Sequence, residues 1–174
     1  MSTGTLARES VTYARDKLAD HLAQIVRCVG LLSPDELWHR ANAHANSVGN
    51  LVLHLTGNVR QWIVGGLGGA TIARDRPAEF AERGPLPAAE ILGALERTVR
   101  SAREVLAGLD VAALEAPHTI QGYEVSGLIA LLHVVEHFAF HTGQIVHMTK
   151  VLKDVDLALY DAQGHKSPGQ RATP

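Results

Sequence analysis

The chain has 174 residues, 46% apolar and 20% charged, the balance of a globular protein long enough to bury a real core in one domain. A formal net charge of −2 with no basic cluster argues against a nucleic-acid partner. A single cysteine, Cys28, excludes an internal disulfide framework and a cysteine-based zinc site.

The first helical pattern, near 5–29, has Val11, Ala14, Leu18, Leu22, Ile25 and Val29 at spacings of three and four. Cys28 falls in this pattern as a small apolar residue. Gly30 and Ser33-Pro34 end the helix, and Pro34 to His39 predicts one or two further turns. An aperiodic loop follows over 40–46. Ser47 reads as the N-cap of a second long helix near 47–64, closed by Gly65 and Gly66. The stretch 65–84 is a long connection of the kind that covers sites, and its Arg74-Asp75-Arg76 reads as solvated. Pro87 suits the first turn of a third helix near 87–107, with Ile91, Leu95, Val99, Ala102, Leu106 and Leu109 as its buried stripe. Residues 115–124 read as extended, with a turn at Gly122. A fourth helix is predicted near 126–152 and a short one over Asp156 to Ala162. The domain is expected to span 1–163, with 164–174 a flexible tail rich in Gly, Pro, Ser and Lys.

Four long amphipathic helices without alternating strands predict an all-α four-helix bundle. The long connection between helices two and three predicts a crossover. No apolar run reaches the length of a membrane span, and the N-terminus lacks the apolar stretch of a signal peptide, so the protein is expected to be cytoplasmic and off the membrane.

Helix four carries His133-Val-Val-Glu-His137-Phe-Ala-Phe-His141-Thr-Gly-Gln144. Each histidine advances only about 40° around the axis, so three imidazoles share one stripe. Ala130, Val134, Met148 and Val151 lie on the same stripe, which points it at a core. A lone histidine there would be a hydrogen-bonded core residue; three in a row point to metal ligation. A pair on one helix needs a further ligand, and His54 is the natural partner. On helix two it shares a face with Asn58, Gln61 and Trp62, and polar groups on an apolar helix are costly unless paired or ligating. His21 is at a possible inward position on helix one; His39, His44, His118 and His165 read as solvated. Glu136 lies off the stripe.

The pattern Asn46-Ser-Val-Gly-Asn-Leu-Val-Leu-His54, with His137-Phe-Ala-Phe-His141-Thr-Gly-Gln144-Ile145 much later, resembles the DinB superfamily of DinB/YfiT-like metalloenzymes. The resemblance covers about residues 5–162. The stretches Trp62-Ile-Val-Gly-Gly-Leu-Gly-Gly and Arg74-Asp-Arg-Pro-Ala-Glu-Phe80 look like an uncharacterised subfamily. The resemblance implies a DinB/YfiT-like four-helix bundle holding a divalent metal through His54, His137 and His141. His133 would then line the pocket with Asn58, Trp62 and Gln144.

Three protein ligands leave a position open, the catalytic arrangement for zinc. Zinc or nickel is expected first, with iron, copper or manganese also compatible with imidazole ligands. The superfamily includes transferases that use a low-molecular-weight thiol. The sequence shows no evident general base beside the metal, which favours thiol activation over hydrolysis. A helical bundle that binds metal or serves in stress without catalysis is the alternative. A homodimer and a small-molecule substrate are the expected partners, from the amphipathic helix faces, the family resemblance and the prevalence of symmetric assemblies.

Overall fold

The computed structural model describes residues 2–166. Helix α1 spans Thr3–Leu31, and Ser2 caps it by accepting from the Thr5 amide. The short α2, Pro34–Trp38, is closed by a capping box between Ser33 and Glu36. Helix α3, Val48–Val59, starts on the expected Ser47 cap, whose box partner is Asn50. It runs on into a π-helical segment, Arg60–Leu67. There the Gly68 amide donates to the Ile63 carbonyl, five residues back, at 2.8 Å.

Within the connection lies α4, Arg76–Ala81, capped by Asp75 and opened by Pro77. Helix α5 spans Ala88–Ala107 and the short α6 spans Val111–Glu115. Strands β1, Pro117–Ile120, and β2, Tyr123–Ser126, pair antiparallel with Ile120 opposite Tyr123. Their two-residue turn is Gln121-Gly122, with φ of 55° and 81°, the positive pair that matches hairpin twist. Helix α7, Gly127–Lys153, follows directly on a Ser126 cap.

Contacts along the helices give their directions. His21 stacks near Phe138, and Cys28 meets Thr149 seven residues further along α1, so α1 and α7 run parallel. His54 meets His137 while Asn58 meets His133, so α3 runs antiparallel to α7. Thr56 and Val64 share a crevice with Ala94 and Ser101, and Gly68 abuts Val105, so α3 and α5 run parallel. The order is therefore up, down, down, up, and the 68–87 connection is the expected crossover.

One apolar cluster joins the four long helices, with Leu18, Ile25, Leu55, Ile63, Leu95 and Phe138 among its fully buried members. The predicted stripes of α1 and α5 face it, with Leu22 and Leu109 half-buried at its margin.

Two expectations need correction. No helix covers 156–162: Asp154 turns the chain left-handed at φ 47°, and the segment is irregular around the buried Leu157. Val151 is exposed and Met148 only half-buried, because the 39–46 loop leaves a crevice over the last turns of α7. The tail expected over 164–174 falls mostly outside the described residues. Its first three are described, and Lys166 forms an antiparallel bridge with Tyr160 and an ion pair with Asp20.

Candidate metal centre

Antiparallel packing of α3 on α7 sets His54 opposite His137 and His141, and one ring nitrogen from each lies within 4.8 Å of the others. His54 Nε2 is 3.1 Å from His137 Nε2. The His54 and His141 rings meet edge to face, 5.1 Å between centroids. His54 is buried and its two partners are half-buried.

The outer nitrogens of two rings are held. His54 Nδ1 lies 2.9 Å from Glu79 Oε2. A carboxylate only accepts, so Nδ1 carries the proton and Nε2 presents a lone pair toward His137. Arg74 Nη2, 3.2 Å from the same Nδ1, is then a neighbour rather than a donor to it. His141 Nδ1 donates to Gln144 Oε1 at 2.6 Å, which leaves the Nε2 lone pair of His141 free.

Glu79 is itself clamped. Arg74 forms a two-pronged pair with it, Nε to Oε1 at 2.7 Å and Nη2 to Oε2 at 2.8 Å, and Nη1 reaches Gln61 Oε1 at 2.9 Å. The Arg74 side chain is only 5% exposed, so the reading of Arg74 as a solvated residue is corrected. Glycine at position 57 makes this possible: a Cβ there would fall 1.9 Å from Glu79 Oε1 and 2.7 Å from Arg74 Nε. Asn50 fixes the backbone of the same segment, donating to the carbonyls of Glu79 and Glu82 at 2.9 and 3.0 Å.

Burial pushes His137 down to about 3, helped by the nearby His141, His133, His54 and Arg74. Burial likewise lowers His141 and His133. These imidazoles are neutral at pH 7, the form that binds metal. Burial alone would raise Glu79, but the hydrogen bonds from Arg74 and His54 outweigh it and hold the carboxyl below its ordinary range.

A cavity of about 450 Å³ opens beside the cluster, with His54 and His137 in its wall. Asn58, Trp62 and His133 line it, together with Arg74, Arg76, Gln121 and Tyr123. Gln144 does not: it sits behind His141 and faces a separate crevice with His39 and His147. Trp62 stacks on His133 at 4.0 Å and donates to Gln121 Oε1 at 3.1 Å. The sequence reading missed Glu79 and Arg74. The available signal was Gly57 in the middle of an apolar helix, where glycine costs about 1 kcal/mol relative to alanine unless something must approach closely.

The donors fit a divalent ion. Three imidazole nitrogens around a tetrahedral zinc stand about 3.3 Å apart. His54 and His137 nearly match this, and the 4.8 Å limit needs only small ring rotations. His137 Nδ1 and Asn58 Oδ1 are buried with no hydrogen-bond partner, an unfinished polar environment uncommon in a purely structural core.

The helices form an all-α bundle with a DinB-like fold. A DinB-like protein from Bacillus cereus ATCC 10987 superposes with a TM-score of 0.60 at 15% identity, covering 77% of this chain and 87% of that one. The chain belongs to the family described as "Protein of unknown function (DUF1572)", which matches over residues 5–161. No curated protein matches the sequence.

Proposed function

We propose that the protein binds a divalent metal through His54, His137 and His141 and is a metal-dependent enzyme acting on a small molecule. The observation that carries this is the pairing of convergence with orientation. Three imidazoles meet, two of them have their outer nitrogen held by Glu79 and Gln144, and a cavity opens beside them. Such outer partners fix the tautomer and make the ligand more basic. Zinc or nickel suits the donor set best; iron, copper and manganese are the further possibilities.

A divalent ion held there would supply Lewis acidity, lowering the pKa of a thiol or water in its open position. The chain's residues do the rest. Asn58 and His133 border the opening and hold its polar side, and Trp62 walls it off from solvent. Glu79 faces His54 away from the cavity, so it orients a ligand and does not take a proton from substrate. No carboxylate lines the cavity. That favours transfer of a low-molecular-weight thiol, which needs no separate base, over hydrolysis. A non-catalytic metal-binding bundle is the second reading, and the open cavity beside the cluster weighs against it.

The homodimer belongs to the same proposal. Leu132, Phe140 and Val151 of α7 are at least 50% exposed, apolar area that a second copy would cover. A cytoplasmic location is proposed with it. Metal analysis of the purified protein, followed by a panel of thiols with an electrophilic acceptor, tests the enzyme. No bound metal and no transfer would end the reading. Light scattering at micromolar concentration tests the dimer, which a monomer mass would remove.

A further inference from the structure

The cavity beside the histidines has an uncompensated positive wall. Arg74 is neutralised by Glu79, but Arg76 forms no ion pair among the described residues. Its guanidinium is held 5.0 Å from the Phe80 ring centre, and Phe80 in turn packs on His54 at 4.6 Å. That stack sets the cation at the cavity rim at a fixed distance from the candidate ligands. Among the described residues, nothing of opposite charge lines the cavity.

The other wall is flat and apolar. The indole nitrogen of Trp62 is already satisfied by Gln121, and the ring, 4% exposed and packed on His133, offers the cavity only an apolar edge. Gln121 reaches it from a left-handed turn position, a conformation that non-glycine residues rarely adopt. Tyr123 lies nearly parallel to Trp62 at 6.4 Å, 63% exposed, and Val125 and Ile129 continue the surface. Between the two walls the buried Asn58 leaves its Oδ1 with no partner.

We infer that this cavity takes a small anionic molecule with a planar apolar body. A carboxylate pairs with Arg76, the flat body lies against Tyr123 and Ile129 beside the edge of Trp62, and an N–H or O–H on the reacting end donates to Asn58 Oδ1. The inference rests on the proposed metal function only for which end of the ligand reacts. The anion site stands on Arg76 and the aromatic wall.

Benzoate and its neutral isostere benzamide are the probes, titrated calorimetrically into full-length protein in zinc-loaded and metal-free form. Zinc content is measured first, so failure of the metal site is scored separately. The expected result is benzoate binding about tenfold tighter than benzamide in both forms. Arg76→Gln erases the preference and Arg76→Lys keeps part of it. Arg76 is solvent-exposed, so neither variant threatens the fold, and circular dichroism checks this. Equal binding of the two probes, binding of neither, or a benzoate preference that survives Arg76→Gln overturns the inference. A preference seen only with zinc and indifferent to Arg76 assigns the carboxylate to the metal instead.

Discussion

Helix α7 has two working faces, and they solve the same problem in opposite ways. Toward α1 it presents Leu131, Val134, Phe138 and Ile145, all buried. The polar residues among them, Thr142 and Thr149, donate to their own helix at Phe138 and Ile145, at 2.7 and 2.8 Å. Toward α3 it presents His133, His137 and His141. His133 and His137 meet partners far away in sequence, His137 Nδ1 has none, and only His141 is held locally, by Gln144. A face whose polar atoms are satisfied locally is built to pack; one whose polar atoms wait for something is built to bind. His21, with its Nδ1 buried and unpartnered, is the exception on the α1 side.

Neighbouring substitutions on α7 should separate the two faces. Phe138→Ala removes a fully buried ring and should cost about 3–5 kcal/mol in chemical denaturation. It leaves the histidines in place, so metal still raises the melting temperature. His137→Ala should do the reverse: little change in metal-free stability and loss of tight metal binding by calorimetry. Equal effects of the two on both measurements would dissolve the distinction between the faces.

The outer clamp should give a graded effect. Glu79→Gln replaces the carboxylate that holds His54 Nδ1–H and should weaken metal affinity roughly 10–100-fold. Gly57→Ala is a sharper test, because alanine ordinarily favours a helix by about 1 kcal/mol. Here its Cβ displaces Glu79 and Arg74, so we expect lower stability and an affinity loss resembling that of Glu79→Gln. A more stable Gly57→Ala with unchanged affinity would show the clamp to be idle.

Stability of the metal-free protein should depend on pH. His137 is pushed down to about 3 and His21 is also lowered, both mainly by burial. Above about pH 6.5, the ordinary histidine value, these groups are neutral in both folded and unfolded chains. As pH falls toward 3, the unfolded chain takes the protons first, so stability is lost across that window. Denaturation midpoints that stay flat from pH 7 to 4 would contradict this. The smallest effects belong to His118→Ala and His165→Ala. Both histidines lie outside the cluster and should leave metal affinity unchanged.

The two faces also differ in how far the sequence disclosed them. Three-and-four spacing revealed all four long helices and put His54, His137 and His141 on inward stripes. Their ends needed only small adjustment, since Ser47 and Ser126 cap where the pattern begins. The clamp was not legible. Helix α4 has six residues, too few for periodicity, and Arg74-Asp75-Arg76 has the composition of a solvated run. Its burial depends on an approach to Gly57 that only the folded crossover produces. The π-helical turn was hidden too, because glycines at 65 and 66 read as a stop. Gly66 instead admits Ile120, whose Cδ1 would lie 2.3 Å from an added Cβ, and so seats the hairpin against the cavity wall.

The central claim is that His54, His137 and His141 share one ion. Zinc titration of metal-stripped protein, with X-ray absorption at the zinc edge, tests it most directly. The account predicts one zinc per chain, three imidazole ligands at about 2.0–2.1 Å and one exchangeable non-histidine ligand, with the site lost in His137→Ala. Substoichiometric zinc, or a zinc environment unchanged in that variant, would contradict it.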